Sequence, residues 1–155
     1  MQFPLEINTQ DACDTCYHYA NIKALKLQLV WVGYELRHLC FGPQGIYHVR
    51  VNEPVTLQLL KGFMRETAEK ANEYGIDNFL FDLRQAPNRT SAFAYHEFAY
   101  NQSKRLGYKP RSKHVLLISL EDMVDYHFVE TILINAGYQG KIFTDESAAI
   151  EWLEK

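Results

Sequence analysis

The fold of this chain is best read from Asn78 to Leu120, NFLFDLRQAPNRTSAFAYHEFAYNQSKRLGYKPRSKHVLLISL. This stretch opens and closes with short runs that are apolar almost throughout, NFLFDL and HVLLISL, and such runs are typical of strands covered on both faces. Between them, a segment with helical spacing ends at Gly107. The stretch therefore predicts a strand, a helix and a second strand, which is the repeating unit of a parallel sheet.

Upstream of this unit the sequence predicts a hairpin. The runs YELRHLCF and IYHVRV are separated by GPQG, a four-residue turn signal. The register set by this turn gives the hairpin one mostly apolar face, which is expected to look inward and carries Leu36, His38, Cys40, Tyr47, Val49 and Val51. The opposite face carries Arg37, His48 and Arg50 and is expected to look outward.

Helical and extended segments alternate through the rest of the chain. TLQLLKGFMRETAEKANEYG has apolar residues at helical spacing, with Thr56 as N-cap and Gly75 at the C-terminal end. DMVDYHFVETILINAG ends at Gly137, and after the short strand KIFTD a last helix begins at the cap Asp145. The sequence thus predicts an α/β domain over residues 34–155, in which a β-hairpin precedes alternating helices and strands, with about four helices on a mixed sheet.

Residues 1–33 are predicted to be an N-terminal extension of this domain. KALKLQLVWV alternates apolar and polar residues, which suits an extra strand, whereas a helix beginning near Asp14 is the alternative. An added segment beside an edge strand favours pairing between two copies. We therefore expect a homodimer with residues 20–33 in or near the contact.

Composition limits the class of protein. The chain has 155 residues, 18.1 kDa and a net charge of −3, which fits one domain and argues against a surface devoted to nucleic acid. No apolar run is long enough for a membrane span, and the acidic start lacks the basic region of a signal peptide. Three cysteines do not suggest a disulfide framework. These features predict a cytoplasmic protein.

From Tyr34 to Leu153 the chain resembles the SpoIIAA-like α/β proteins, the group that contains the STAS domains. The resemblance lies in the hairpin YELRHLCFGPQGIYHVRV, the strand FLFDLRQAP and the closing segment KIFTDESAAIEWL. That closing segment is most similar to the uncharacterised bacterial branch of the group. The resemblance implies a sheet of four to five strands with helices packed on it, no common enzyme activity, and roles in protein regulation or ligand sensing.

The resemblance also draws attention to Thr90 and Ser91. In anti-sigma-factor antagonists of the group, an Asp-Ser-Ser-Gly motif begins the helix after this strand, and its serine is phosphorylated by a partner kinase. Thr90-Ser91-Ala92-Phe93 stands at that place, and only Ser91 keeps its residue type. The simpler interpretation, which the sequence favours, is that Ser91 or Thr90 is the N-cap of the helix.

The best-placed polar residue for binding a ligand is Asp82, at the C-terminal end of its strand. Arg84, Asn88 and Arg89 follow it, and open α/β sheets bind ligands beyond such strand ends. The alternative is that Asp82 and Arg84 pair with one another or with loop backbone. A binding pocket in this region is expected to include Phe93 and Tyr95.

Signals for catalysis, metals and cofactors are weak. Cys13, Cys16 and His18 resemble the beginning of a zinc or redox site, but a closed zinc site needs four ligands and the remaining cysteine, Cys40, belongs to the hairpin. The chain has neither a nucleophile elbow nor a phosphate-binding loop. We therefore predict no catalytic residue, metal or cofactor.

Two functions remain as expectations. The first is a non-enzymatic regulatory or protein-binding module with an unidentified protein partner. The alternative is a carrier or sensor of a small or lipid-like ligand, with a pocket beyond the strand that ends at Asp82.

Overall fold

The computed structural model describes residues 34–39 and 45–155, which are arranged around one sheet. Its strands, in spatial order, are β1 (Tyr34–Leu39), β2 (Ile46–Val51), β3 (Asn78–Asp82), β4 (Lys113–Leu117) and β5 (Gln139–Phe143). Strands β2 to β5 run parallel, and β1 pairs antiparallel with β2. The predicted α/β class and the parallel strands joined by helices are confirmed.

Helices connect the parallel strands and close the chain. They are α1 (Leu57–Tyr74), α2 (Ala92–Glu97), a π-helix (Phe98–Gln102), α3 (Ser103–Leu106), α4 (Met123–Asn135) and α5 (Glu146–Glu154). The predicted cap of α1 is confirmed, since Thr56 Oγ1 accepts a hydrogen bond from the Leu59 N–H at 3.2 Å. Gly75 ends α1 at φ +70°, a left-handed conformation that glycine adopts without strain.

The segment predicted as one helix between β3 and β4 is divided by the π-helix. The Phe98 carbonyl in the widened turn accepts a hydrogen bond from the backbone N–H of Ser103 and another from the Ser103 Oγ hydroxyl, the latter at 3.2 Å within the core. The apolar pattern did not reveal this feature, because only the four residues of α3 follow the wider turn, too few to show the changed phase of the side chains.

The sheet separates two apolar cores. On the first face α1, α2, the π-helix and α4 pack over side chains that include Val49, Phe79, Phe81 and Leu116. On the second face, among the described residues, α5 packs through Ala149 and Leu153 against Ile46, Leu80, Val115 and Leu117. Because successive residues of a strand point to opposite faces, the strands that are apolar throughout supply both cores.

The register of the hairpin agrees with the sequence, but one of its side chains is not where the sequence placed it. Leu36 stands opposite Val49, and Arg37 stands opposite His48. His48 was expected to face outward, yet it is buried. The expectation was wrong because the second face of β2 also carries Ile46, which packs under α5, so this face is not open to water.

Several sequence predictions lie outside the described residues. These are the extra strand or helix within residues 1–33, the dimer contact at residues 20–33, the Cys13-Cys16-His18 group, Cys40, and most of the GPQG turn.

Candidate functional site

The carboxylate of Asp82 lies almost fully buried at the end of β3, with its side chain 5% exposed. Its Oδ1 accepts hydrogen bonds from Arg84 Nε at 2.9 Å and from the Arg84 backbone N–H at 3.3 Å. Its Oδ2 accepts from Arg84 Nη2 at 2.7 Å and from Arg50 Nε at 3.3 Å. A buried carboxylate stays ionised only where donors replace water, and two guanidinium groups do so here.

These contacts also set the protonation state of Asp82. Burial by itself acts to raise the pKa of the Asp82 carboxyl, but the hydrogen bonds and charge of Arg84 outweigh it and hold that pKa well below its usual range. The carboxylate is therefore ionised at neutral pH with its lone pairs engaged. Such a group is poorly suited to general acid or base catalysis, for which a pKa near the working pH is best.

Arg84 joins the strand end to the last helix. Its Nη2 also donates to Glu146 Oε2 at 2.9 Å, and Glu146 is the first residue of α5, after the N-cap Asp145. We call Arg50, Asp82, Arg84 and Glu146 the Asp82 cluster. Its two cations and two anions balance, so the cluster fastens α5 to β3 without leaving a net charge.

Sequence reasoning found Asp82 and Arg84 and missed the other members of the cluster. Arg50 comes next to Asp82 because the two residues are register partners on β2 and β3. The cap at Asp145 marks Glu146 as the start of a helix. Nothing in the local sequence indicates that Glu146 contacts a residue 62 positions away.

His48 is the neighbour of this cluster. Its Nε2 lies 3.9 Å from Asp82 Oδ2, which is too long for a hydrogen bond. That nitrogen is buried and has no hydrogen-bond partner among the described residues. The two arginines supply four hydrogen bonds to the Asp82 carboxylate, and the nearby His48 ring also acts to lower the pKa of that carboxyl.

Asn88 and Arg89 are directed to other contacts. Asn88 Nδ2 donates to the Asp125 carbonyl at 2.8 Å, and its Oδ1 accepts from the Thr90 N–H at 2.9 Å. The side chain of Arg89 is exposed, and its backbone N–H donates to the Val55 carbonyl at 2.9 Å. The structure thus brings Asp82 and Arg84 together, and it places Asn88 and Arg89 where the loop meets α4 and the segment before α1.

Thr90 and Ser91 differ in environment. Thr90 is buried, and its Oγ1 donates to the Val55 carbonyl at 2.7 Å. Ser91 is exposed, and its Oγ accepts from the Ala94 N–H at 3.2 Å, so Ser91 is the N-cap of α2. Of the two capping residues that the sequence allowed, the structure selects Ser91.

A small cavity lies in the first core between the sheet, α1, the π-helix and α4. Its volume is about 50 Å³, and it is lined by Tyr95 but not by Asp82, Arg84 or Phe93. Such a space holds a few water molecules at most, whereas pockets for drug-sized ligands measure roughly 300 to 1,000 Å³. Nothing about this cavity favours a carrier function.

His114 lines this cavity from β4. Aromatic rings surround it, and its Nε2 lies 2.7 Å from Ser112 Oγ, while its Nδ1 has no partner among the described residues. Burial lowers the pKa of His114 to about 3. The imidazole is therefore neutral at physiological pH.

Three large apolar side chains are exposed on the elements that follow β3 and β4. Phe93 near the start of α2 is 78% exposed, Leu120 in the β4–α4 loop is 76% exposed, and Val124 in α4 is 77% exposed. The Asn88–Asp125 hydrogen bond and the packing of α2 against α4 bring these elements together. We call Phe93, Leu120 and Val124 the carboxyl-edge surface. Sequence reasoning found Phe93 only as a pocket residue and missed the other two.

Basic residues concentrate beyond the opposite ends of the strands, and some are already engaged. Lys109 Nζ forms an ion pair with Asp77 at 3.0 Å, and Lys113 Nζ donates to the carbonyls of Trp152 and Leu153 at 3.3 Å. Within residues 34–39 and 45–155, no group of three or more His, Cys, Asp or Glu side chains could hold a metal ion. No helix in this same part of the chain is long and apolar enough to cross a membrane.

Among solved structures, the chain is similar to an uncharacterised protein of the DUF3478 family, with a SpoIIAA-like fold, from Shewanella loihica PV-4. The two share 16% sequence identity with a TM-score of 0.54, over 78% of this chain and 93% of that one. At this identity the similarity concerns the fold alone. No family model matches the chain, and no curated protein is significantly similar to it. The fold is therefore SpoIIAA-like, as the sequence resemblance predicted.

Proposed function

We propose that this protein is a non-enzymatic regulatory or protein-binding module on a SpoIIAA-like scaffold, and that its partner binds at the carboxyl-edge surface. The observation that carries the proposal is the exposure of Phe93, Leu120 and Val124, each more than three quarters accessible. Single exposed apolar residues are ordinary, but three on adjoining elements are typical of a contact surface.

The state of the polar candidates supports the same function. The Asp82 carboxylate is occupied by two arginines, and its depressed pKa does not suit proton transfer. The small cavity in the first core suits water rather than a metabolite. Binding through an exposed apolar surface needs neither a reactive group nor a pocket.

The test replaces Phe93, Leu120 and Val124 together by serine and compares partner capture from extract of the source cell. Each side chain is exposed, so the variant is expected to fold, while a partner held by apolar burial is lost. Ile134→Ser is the matched control, because Ile134 is also exposed, at 54%, but lies near the opposite end of α4.

The outcome that supports the proposal is a specific partner retained by wild type and by Ile134→Ser and lost from the triple variant. Equal capture by all three proteins places the contact elsewhere. Repeated failure of the wild type to capture any partner at near-native concentration argues against a protein-binding module.

We further propose that residues 34–155 form the domain and that residues 1–33 contribute to a homodimer. Light scattering of the full chain and of a variant without residues 1–33 tests this assembly. A change from dimer to monomer supports it, and a dimer in both proteins moves the contact out of the N-terminal extension.

A further inference from the structure

The carboxyl-edge surface has an uneven distribution of charge. Between His114 and Gly140 the chain carries four acidic residues, Glu121, Asp122, Asp125 and Glu130, and no lysine or arginine. Two of the four are engaged, since Asp122 Oδ2 accepts from Ser119 Oγ at 2.6 Å and Glu130 Oε2 accepts from the Ile142 N–H at 2.8 Å. The other two, Glu121 and Asp125, have exposed side chains.

Glu121 and Asp125 directly follow the two exposed apolar residues of α4 and its preceding loop. Glu121 comes after Leu120, and Asp125 comes after Val124, so each apolar side chain has an acidic neighbour. No ion pair within the described part of the chain involves either carboxylate. Both carboxylates are therefore available to a partner.

The elements packed beside this region do not carry enough positive charge to reverse its net negative charge. The loop before α2 contributes one exposed cation, Arg89, and α2 contributes an exposed anion, Glu97. Strand β5, which packs against α4, contributes the exposed cation Lys141, but its Nζ lies 5.2 Å from the centroid of the Phe143 ring, which belongs to the second core. The exposed cations Lys104, Arg105 and Arg111 lie in α3 and the loop before β4, at the other end of the strands. The surface around Leu120 and Val124 thus combines apolar contact area with negative charge.

We propose that the partner segment received by this surface is basic and amphipathic: a row of apolar side chains flanked by lysine or arginine. This inference rests on the proposed function and names the chemistry of the partner. The apolar row covers Phe93, Leu120 and Val124, and the flanking cations face Glu121 and Asp125. Charges at the rim of an interface choose the partner and speed its encounter more than they strengthen the contact.

Acidic residues at the start of α4 also stabilise this helix by interacting with the positive end of its dipole, and this effect does not depend on a partner. The test must therefore measure binding rather than stability. It uses the full chain and two synthetic helical peptides of about 18 residues with the same apolar face, one with lysine and one with glutamate on the flanks. Fluorescence anisotropy gives the dissociation constant of each peptide.

The matched variants remove the same net charge from two places. Glu121→Gln with Asp125→Asn neutralises the rim, and Glu69→Gln with Glu154→Gln neutralises two exposed acids on α1 and α5. We expect the lysine peptide to bind wild type and the α1/α5 variant alike. We expect the rim variant to bind it about fivefold more weakly, because two exposed ion pairs contribute about 1 kcal/mol.

Four outcomes overturn the inference. Equal affinity for the two peptides, or equal loss in the two double variants, shows that rim charge does not select the partner. Undiminished binding of the lysine peptide to the Phe93, Leu120 and Val124 serine variant shows that it binds elsewhere. Concentration-dependent self-association that this serine variant abolishes shows that a second copy occupies the surface.

Failure of this inference is separable from failure of the proposed function. If the lysine peptide does not bind, but capture of a natural partner still depends on Phe93, Leu120 and Val124, the partner chemistry is wrong and the binding module stands. If that capture does not depend on the three residues, the proposed function fails as well.

Discussion

Two buried polar groups of this protein are held by partners within the fold, whereas three of its large apolar side chains face water. Asp82 and His114 are buried on neighbouring strands, and each is held by neighbours within the fold. Phe93, Leu120 and Val124 are apolar and remain open to water. A polar residue at a strand end stabilises the fold once its partners are present, whereas exposed apolar side chains on adjoining elements are typical of a contact surface.

The largest effect on stability is expected at Arg84, which holds the buried Asp82 carboxylate. Arg84→Ala leaves the buried Asp82 carboxylate with Arg50 as its remaining guanidinium partner, and we expect a loss of about 3 kcal/mol in the free energy of unfolding. Urea denaturation measures it. Arg89→Ala is the control, because the Arg89 side chain is exposed, and its effect is expected to stay within about 0.5 kcal/mol. Equal effects of the two substitutions would contradict a structural role for the Asp82 cluster.

The second prediction concerns the dependence of stability on pH, which distinguishes the buried His114 from the buried Asp82. The pKa of His114 is lowered from 6.5 to about 3 in the folded chain, so between these values the unfolded chain binds a proton that the folded chain does not. Stability is therefore lost as pH falls, by about 2 kcal/mol from pH 6.5 to pH 4.5. The contribution of Asp82, whose pKa is lowered, is present above the usual carboxyl range and is lost only at lower pH.

His114→Phe is expected to remove this loss between pH 6.5 and pH 4.5. His96→Phe is the control, since His96 is exposed on α2. Denaturation at several pH values measures the slope of stability against pH for each protein. An unchanged slope in His114→Phe would show that other groups take up the proton.

The third prediction concerns Ser91, the N-cap of the helix that carries the exposed Phe93. Ser91→Ala removes the acceptor for the Ala94 N–H and is expected to cost about 1 kcal/mol, while Ser91→Asp is expected to be tolerated because aspartate also caps a helix. Chemical denaturation of both variants measures this. Phosphate on Ser91 at appreciable occupancy, detected by intact mass on protein from its native cell, would replace the capping interpretation with a regulatory switch.

The smallest effect on stability is expected at the carboxyl-edge surface. Leu120→Ser and Val124→Ser remove side chains that are mostly exposed, so each is expected to change the free energy of unfolding by no more than about 0.5 kcal/mol. Thermal and urea unfolding measure this. Val129→Ser is the contrast, because Val129 lies further along the same helix, α4, and is buried. A large loss at Leu120 or Val124 would show that these residues contribute to the fold and weaken their assignment to binding.

Much of the fold could be predicted because its signals are local. Thr56, Asp145 and the glycine after α1 cap or end helices through contacts with residues a few positions away. The candidate site was predicted only in part. Asp82 and Arg84 are two residues apart and pair as one alternative proposed, whereas Arg50 and Glu146 reach the same cluster from β2 and α5. No short-range pattern connects such distant positions.

Hydrophobic periodicity and helix capping act over a few residues, so the sequence was sufficient to predict the α/β class, the order of the main helices and strands, and caps such as Thr56 and Asp145. Tertiary packing was needed to show which helix covers each face of the sheet and which residues meet at the strand ends. His48 is buried because α5 packs on the second face, and Asp82 meets Arg50 because β2 and β3 pair in one register. Leu120 and Val124 are as apolar as core residues yet 76% and 77% exposed, which only the packing of the described helices and strands could show.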